Sequence, residues 1–454
     1  MSLKPQILKQ QFTLAETNLP RDLGDGLVLR LATAADAEAV AQFNAANLGR
    51  DPVDQQQVAA WTRDFCSESH PTCGPSNVTM VEDTRAGKIV SSMCLIPQTW
   101  TYAGIPFGVG RPEAVSTDPE YRRRGLVREQ FAVHHTRSAA MGHLAQGITG
   151  IPWYYRQFGY EYALNLGGGR LVLFGNITPL KEGESEPYRL RPLTAADLPF
   201  VKPLYEREGA RSLVACPRPD WLWNHLLFGY SEESFENRPF QIVETGDGRA
   251  VGYLAPSREM GHDMYAINEL AVAEGESYRA LMPSVLRGLE ALAERQAAEQ
   301  NKAVNTLYLQ LGPEHPVYTA IPDKLTGTRP RYGWYIRVAD VPALIRHIAP
   351  ALENRLAKSP LAGHTGELKI NEYTGGLNLV FEKGKLVTAE PWHAGGAEWH
   401  RAAFPPRVFL QLLFGFNSLA EIRAASPDAI ASGDDQVLLE ALFPRQSSSV
   451  VPVG

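Results

Sequence analysis

The residues best suited to chemistry lie in one basic loop, Tyr121-Arg122-Arg123-Arg124-Gly125-Leu126-Val127-Arg128. The segment before it, 114–119, alternates small and apolar residues and ends in Asp-Pro, which is typical of a strand that stops. A helical apolar pattern follows, so the loop lies at a helix N-terminus. Three arginines are unfavourable there, because the helix dipole already places partial positive charge at that end. A bound anion would remove the conflict, with Gly125 permitting close approach of the backbone; the alternative is a solvated basic turn.

A second stretch carries a candidate proton donor. The pattern predicts a strand over 144–148 and a short helix over 152–160 that is closed by Gly159. A tyrosine near the start of such a helix can protonate a leaving group of high pKa, such as a thiolate. Its own pKa of about 10 suits a tyrosine to act as the acid. Tyr155 is the candidate, whereas Trp153 and Tyr154 are assigned to an aromatic core.

Composition limits the classes of function. The chain has 454 residues, 44% of them hydrophobic, and a net charge of −6, which predicts two or three domains and excludes a general nucleic-acid-binding surface. No apolar stretch is long enough to span a membrane and no signal-like segment begins the chain, so a cytoplasmic protein is expected. The four cysteines are too few for a disulfide framework. Cys66, His70 and Cys73 lack a fourth ligand nearby, so no metal site is predicted.

The sequence contains an internal repeat. A strand over 28–31 and the capping box that begins at Thr33 recur as a strand near Leu190 and a second box that begins at Thr194. The pair Ala271-Val272 and the dipeptide Tyr278-Arg279 repeat the spacing found around the basic loop. The second copy then has Ala-Leu-Met-Pro in place of Arg-Arg-Gly-Leu, and Thr319 aligns with Tyr155. Both chemical features are therefore missing from the second copy, which we interpret as a structural copy without an anion site.

The remainder of the chain predicts a compact third domain. A helix begins near Pro342, a hairpin-like alternation covers 368–381, and a Lys383-Gly384 turn precedes another short strand. Two further apolar helices follow. The predicted organisation is a polar tail at 1–25, a first domain at 26–180, a second at 181–340 and an α+β domain at 341–454.

These motifs carry a resemblance to a known family. The segment 115–127 resembles the acetyl-CoA motif of the GNAT superfamily of acetyltransferases, in which arginine or glutamine, two residues, glycine, one residue and then glycine or alanine follow one another. It departs from that motif at Val127. The segment 155–160 resembles the later tyrosine motif of the same superfamily. The domain organisation resembles that of the Eis (enhanced intracellular survival) acetyltransferases. These have two GNAT-like domains with mixed sheets, the second of them degenerate, followed by a sterol-carrier-like domain. The resemblance therefore implies the fold class α/β and α+β.

The resemblance implies transfer of an acetyl group from acetyl-CoA directly to a primary amine of a small cationic molecule or to a lysine side chain of a peptide. It implies that Tyr155 is the general acid and that the chain's terminal carboxylate, at Gly454, is the base, with Glu113 as the alternative. It also implies a ring-like homo-oligomer. The residues implied to hold the coenzyme are Val115 and Thr117 for the pantetheine arm, and Arg122, Arg123, Gly125, Leu126 and Val127 for the pyrophosphate. The competing hypothesis is a non-catalytic acyl-CoA or lipid-binding protein.

Overall fold

The computed structural model describes residues 18–258, 260–261, 263–394 and 401–452, in which the strands form three sheets. The predicted polar tail at 1–25 is wrong for its last residues, because Arg21–Gly24 (β1) pairs with Leu27–Leu31 (β2) as an antiparallel hairpin. Asp25 and Gly26 both have positive φ and make the tight turn, while Leu23 packs on the core beneath. Residues 1–17 lie outside the described residues.

The first part of the chain builds a long mixed sheet with helices on its faces. Its order is β1-β2-β3-β4-β5-β6-β16-β7, where β16 is Tyr332–Arg337 from later in the chain, and β10 (Val214–Ala215) pairs with the end of β4. After β1 and β2, the elements are α1 (Ala37–Leu48), α2 (Pro52–Phe65), β3 (Val78–Asp83), β4 (Lys88–Tyr102), β5 (Ile105–Thr117), α3 (Leu126–Ala140), β6 (Ala145–Ile148), β7 (Glu161–Leu166) and β8 (Gly169–Leu173).

The second part repeats this plan in a sheet of order β15-β8-β14-β13-β12-β11-β9. Its helix α6 packs Leu281, Val285 and Leu289 into the core, as their spacing predicts. The elements are β9 (Tyr188–Pro192), α4 (Leu198–Gly209), β10 (Val214–Ala215), α5 (Asp220–Phe228), β11 (Gln241–Thr245), β12 (Ala250–Pro256), β13 (Met264–Val272), α6 (Tyr278–Glu299), β14 (Thr306–Leu309), α7 (Val317–Ala320), β15 (Gly327–Arg329) and β16 (Tyr332–Arg337).

The start of each copy has the same ionic arrangement. In the first copy Arg30 binds Asp36 through both terminal nitrogens at 2.8 Å, and its Nε donates to Glu82 at 3.1 Å. In the second copy Arg191 binds Asp197 and Glu244 in the same way. Both aspartates also close a capping box with the preceding threonine. The repeat read from the sequence is therefore present in three dimensions.

The two copies exchange one strand each. Strand β8 leaves the first sheet and pairs with β14 and β15 of the second, whereas β16 returns to the first sheet between β6 and β7. Three successive glycines with positive φ carry the chain across, and a Cβ at Gly169 would lie 2.0 Å from the Leu309 carbonyl oxygen. Strand β16 belongs to the range 181–340 that the sequence assigns to the second domain, yet it pairs within the first sheet, since sequence order does not reveal the partner of a strand. The domain boundaries stay a prediction.

The third part is an α+β unit that packs on the first. Its sheet has the order β19-β18-β17-β20-β21, and its apolar core is continuous with that under Trp100, Tyr102 and Trp334 of the first sheet. Among the described helices, none combines the length and the apolar character needed to cross a bilayer. The elements are α8 (Val341–Ala357), β17 (Gly366–Asn371), β18 (Gly376–Glu382), β19 (Lys385–Pro391), β20 (Ala402–Ala403), α9 (Phe409–Leu413), α10 (Leu419–Ala425), β21 (Ile430–Ala431) and α11 (Gly433–Leu442).

Candidate active site

Strands β5 and β6 diverge at the centre of the first sheet. They pair in parallel only at Val109–Ala145 and Gly110–Gln146, and beyond this point β5 has no partner on that side in the described residues. A bulge at Ala114, where φ is +51°, places Ala114 and Val115 of β5 opposite the single residue Met93 of β4. The backbone groups of Val115 and Thr117 that point away from β4 are therefore available for an added, strand-like ligand.

The basic loop ends in a helix that has no side-chain cap. Helix α3 begins after Gly125, whose φ is +80°, and no side chain of the described residues accepts from its first amides. Arg123 also has a positive φ of 63°. The amides from Arg123 to Val127 donate to no described carbonyl, so they form a concave set of free donors at the positive end of the helix dipole. This geometry fits an anion such as a pyrophosphate.

The corresponding helix of the second copy satisfies its own amides. Ser277 precedes α6, and its Oγ accepts a hydrogen bond from the Ala280 amide at 3.3 Å. Arg279 there donates to the Ala320 carbonyl and lies 3.4 Å from Asp323. A capped N-terminus whose nearest arginine is occupied leaves little for an anion to bind. The contrast supports the interpretation of the second copy as structural.

A cavity of about 660 Å³ joins the strand edge to the loop; we call it the loop cavity. It extends from helix α1 across β5 to the short helix Tyr154–Phe158, and the Tyr154 and Phe158 rings form its far wall. All seven residues predicted to hold the coenzyme line it: Val115, Thr117, Arg122, Arg123, Gly125, Leu126 and Val127.

A buried polar network fixes the part of β5 that lines the cavity. Asn44 Oδ1 accepts from Ser92 Oγ at 2.6 Å and from Ser116 Oγ at 2.9 Å, and all three side chains are buried. On the next residue, Thr117 Oγ1 lies 2.8 Å from Ser91 Oγ, which in turn accepts from the Gln130 amide at 2.7 Å. Helices α1 and α3 thus hold the strand from opposite sides. No spacing in the sequence indicates this network.

Tyr155 does not line the loop cavity itself but packs against Tyr154, which does, with the two ring centroids 5.2 Å apart. Its ring packs at 5.4 Å from that of Tyr335, and it is buried, but its hydroxyl makes no hydrogen bond within the described residues and is not sealed off from solvent. A Cβ at Gly150 would lie 3.8 Å from that hydroxyl. Burial, and to a smaller extent the Glu113 carboxylate, raise the pKa of Tyr155 well above its usual range. The group is therefore a proton donor at neutral pH and not a base.

Of the two candidate bases, only Glu113 lies within the described residues. Glu113 accepts from Arg111 Nη2 at 2.6 Å and from the Ala114 amide at 3.3 Å. Gly454 lies outside the described residues. The chain before it runs along β10, where Ser449 pairs with Ala215, and Val450 to Pro452 then line a second cavity together with Arg111.

The structure corrects the assignment of the aromatic residues around Tyr155. Trp153 is 68% exposed and stacks against the Arg156 guanidinium at 3.8 Å, so it is not part of a core. Its positive φ of 65° before the short helix turns the side chain outward. Tyr335, which the sequence placed in the second copy, enters this site because β16 is exchanged, and its hydroxyl donates to the Ile151 carbonyl at 3.3 Å.

The part of the chain that carries this site resembles a known protein family. Residues 28–163 match the sequence profile of the acetyltransferase (GNAT) domain. The chain contains a GNAT acetyltransferase domain. The protein is accordingly an acetyl-CoA-dependent acyltransferase, with acetyl-CoA as its co-substrate.

Solved structures extend the similarity in fold to almost the whole chain. A GCN5-related N-acetyltransferase from Anabaena variabilis is 14% identical, with a TM-score of 0.60 over 93% of this chain and 99% of that one. One from Kribbella flavida is 17% identical, with a TM-score of 0.58 over 94% and 98%. Eis1 from Mycobacterium abscessus is 14% identical, with a TM-score of 0.57 over 94% and 99%. No curated protein matches the sequence.

Proposed function

We propose that the protein transfers the acetyl group of acetyl-CoA directly to a primary amine of a small molecule or of a lysine side chain. One observation carries the proposal: the open edge of β5 and the uncapped N-terminus of α3 meet in one cavity. The Tyr155 hydroxyl, which has no hydrogen-bond partner among the described residues, lies beside Gly150, next to Ile151 of the cavity wall. An extended thioester that carries phosphate groups fits this arrangement, because its arm can pair with the edge of β5 and its phosphates can bind at the N-terminus of α3.

The proposed coenzyme contacts are mostly to the backbone. Val115 and Thr117 would bind the pantetheine amides in the manner of an added strand. The amides of Gly125, Leu126 and Val127 would bind the pyrophosphate, which explains why Val127 can replace a smaller residue. Arg122 and Arg123 are exposed at the cavity edge, so they would add attraction for phosphate from the solvent side.

The proposed reaction needs one acid and one base. The amine nitrogen attacks the thioester carbonyl, a C–N bond forms and the C–S bond breaks, and the sulfur leaves as a thiolate. Tyr155 donates its proton to that thiolate, since its hydroxyl is protonated at neutral pH and has no other acceptor among the described residues. The base removes the proton that the amine loses.

For the base we keep both candidates. The terminal carboxylate at Gly454 is supported by Val450 to Pro452, which line a cavity together with Thr149, the residue directly after the end of β6. Glu113 is close enough to raise the pKa of Tyr155, but one of its carboxylate oxygens already accepts from Arg111 Nη2 at 2.6 Å.

The finer classification is also a proposal. Similarity in fold to Eis1 over 94% of the chain supports an Eis-type enzyme, and the five-stranded sheet with its helices supports a sterol-carrier-like third domain. A homo-oligomer stays an expectation of the resemblance. A cytoplasmic location is proposed because four cysteines are too few for a disulfide framework.

The test is release of coenzyme A thiol from acetyl-CoA with a panel of polyamines, aminoglycosides, amino acids and lysine peptides. Amine-dependent release is expected, and Tyr155→Phe should lower kcat about a hundredfold or more with little change in acetyl-CoA affinity. Binding of acetyl-CoA without release for any acceptor would favour the non-catalytic alternative. An unchanged kcat in Tyr155→Phe would remove Tyr155 from its role. Removal of the last residues tests Gly454 in the same assay, with Glu113→Gln as the comparison.

A further inference from the structure

A second cavity, of about 250 Å³, lies where the first sheet, the second sheet and the C-terminal segment meet; we call it the cleft cavity. It is separate from the loop cavity, and both copies contribute to its wall. The residues that matter for its chemistry are Arg111, Thr149 and Trp334 from the first sheet, and Glu236, Arg238 and Gln310 from the second part of the chain.

The Tyr155 hydroxyl lies close to Gly150, in the short segment between the two cavities. Thr149 lines the cleft cavity and Ile151 lines the loop cavity. Gly150 lies between them, and a Cβ there would be 3.8 Å from the hydroxyl. A thioester that enters through the loop cavity and an amine that enters through the cleft cavity would therefore approach each other beside the proposed acid.

The carboxylates around the cleft cavity are already paired. Glu236 accepts from Arg238 Nη2 at 2.7 Å, and Glu113 accepts from Arg111 Nη2 at 2.6 Å. Deeper in the protein, Glu269 accepts from Arg218 Nη1 at 2.9 Å. No carboxylate that lines the cleft cavity within the described residues is thus left to attract a cationic acceptor.

The guanidinium groups, in contrast, retain unused donors. Arg111 Nε and Nη1 and Arg238 Nη1 are buried and have no hydrogen-bond acceptor among the described residues. Their side chains are only 9% and 10% exposed, and Arg238 Nη1 is 3.9 Å from Glu269, too far for a hydrogen bond. Buried donors without acceptors are costly, and a ligand carboxylate with two oxygens would satisfy them with charge-assisted bonds.

We propose that the cleft cavity binds a carboxylate of the acceptor, so that the acceptor is a primary amine that also carries a carboxylate, such as an amino acid. The inference rests on the proposed function, because it names the class of the second substrate of the same reaction. In this arrangement the acceptor carboxylate contacts Arg111 and Arg238, and the amine points towards Gly150 and the thioester.

A polycationic acceptor would need a different anchor. The neighbouring cavity contains Glu314, an exposed carboxylate that accepts from Ser447 Oγ at 3.0 Å and has no ion pair among the described residues. An ammonium group of a polyamine would bind there and not at Arg238. The two acceptor classes therefore depend on different residues, which makes them separable by mutation.

The experiment compares acceptors that differ only in the carboxylate: lysine against cadaverine, and glycine against methylamine. We expect kcat/KM to be at least about tenfold higher for the carboxylate member of each pair. The double variant E236Q/R238Q, which removes the ion pair without leaving a charge unpaired, should reduce this preference to about unity. Glu314→Gln is the matched control and should leave the preference intact.

Binding measured without turnover separates this inference from the proposed function. Calorimetry with the coenzyme A complex should show tighter binding of lysine than of cadaverine, and E236Q/R238Q should remove the difference while retaining coenzyme A affinity. The inference would be overturned if cadaverine were bound and acetylated as well as lysine or better, and if Glu314→Gln lost this binding of cadaverine. Selective binding of lysine without thiol release from acetyl-CoA would instead overturn the proposed function alone.

Discussion

Ser116 Oγ donates a hydrogen bond of 2.9 Å to Asn44 Oδ1, and this bond holds strand β5 against helix α1 at the wall of the loop cavity. The same oxygen accepts from Ser92, so one amide group ties two strands to one helix. Neither side chain needs to touch the coenzyme. The bond matters for the proposed coenzyme site because the groups of β5 proposed to bind the ligand are backbone groups, whose position depends on how the strand is held from behind.

Asn44→Ala is expected to raise the KM for acetyl-CoA about tenfold, because the hydroxyls of Ser92 and Ser116 lose a buried partner and the strand can shift. The kcat should change less, since Tyr155 is held by other contacts. Steady-state kinetics with acetyl-CoA varied measures this split. Gln42→Ala, on the exposed face of the same helix, is the control. Loss of kcat alone, with KM unchanged, would contradict the prediction.

The pH dependence follows from the raised pKa of Tyr155. An acid with a raised pKa keeps its proton to higher pH, so the active, protonated form persists above the ordinary tyrosine value of about 10. The profile of kcat from about pH 6 to about pH 10 should therefore rise and reach a plateau without a descending limb from this group. A descending limb close to the ordinary tyrosine pKa that disappears in Tyr155→Phe would be inconsistent with this environment.

Gly125→Ala tests the loop without filling the cavity. The Cβ would meet nothing within 4 Å, so the cost is the strain of an alanine at a φ of +80°, about 1–2 kcal/mol. We expect weaker binding of coenzyme A, measured by calorimetry, because the loop relaxes away from the geometry that aligns its amides. Gly104→Ala has nearly the same φ and the same open space, but lies in the β4–β5 turn. Equal loss of affinity in both variants would argue against a specific role for the loop.

Gly169→Ala tests the strand exchange. Its Cβ would lie 2.0 Å from the Leu309 carbonyl oxygen, so the start of β8 must move or the ladder with β14 must open, which costs about 1–3 kcal/mol. A clear decrease in Tm by calorimetry is expected. Gly175→Ala, where a Cβ meets nothing within 4 Å and φ is not in the left-handed region, should leave Tm nearly unchanged. Similar Tm values for both variants would show that the crossing tolerates a side chain.

The sequence predicts features that depend on neighbours along the chain. The loop from Arg122 to Val127 and the short helix that contains Tyr155 are local patterns, and they occur where the spacing indicates. The position of β16 depends on which strand edge is free after folding, and the hydrophobic periodicity of the sequence does not indicate this. Asn44 looks like an ordinary helix residue until Ser116 is placed beside it.

The strand exchange also bears on why a copy without an anion site is present. An internal strand of the catalytic sheet and the ring of Tyr335 beside Tyr155 come from the far end of the second copy. A gene shortened after the first copy would encode a sheet with a gap between β6 and β7, and the proposed acid Tyr155 would be open on one side. Because β16 and Tyr335 complete the first sheet, the second copy remains structurally necessary even though it lacks the features of an anion site.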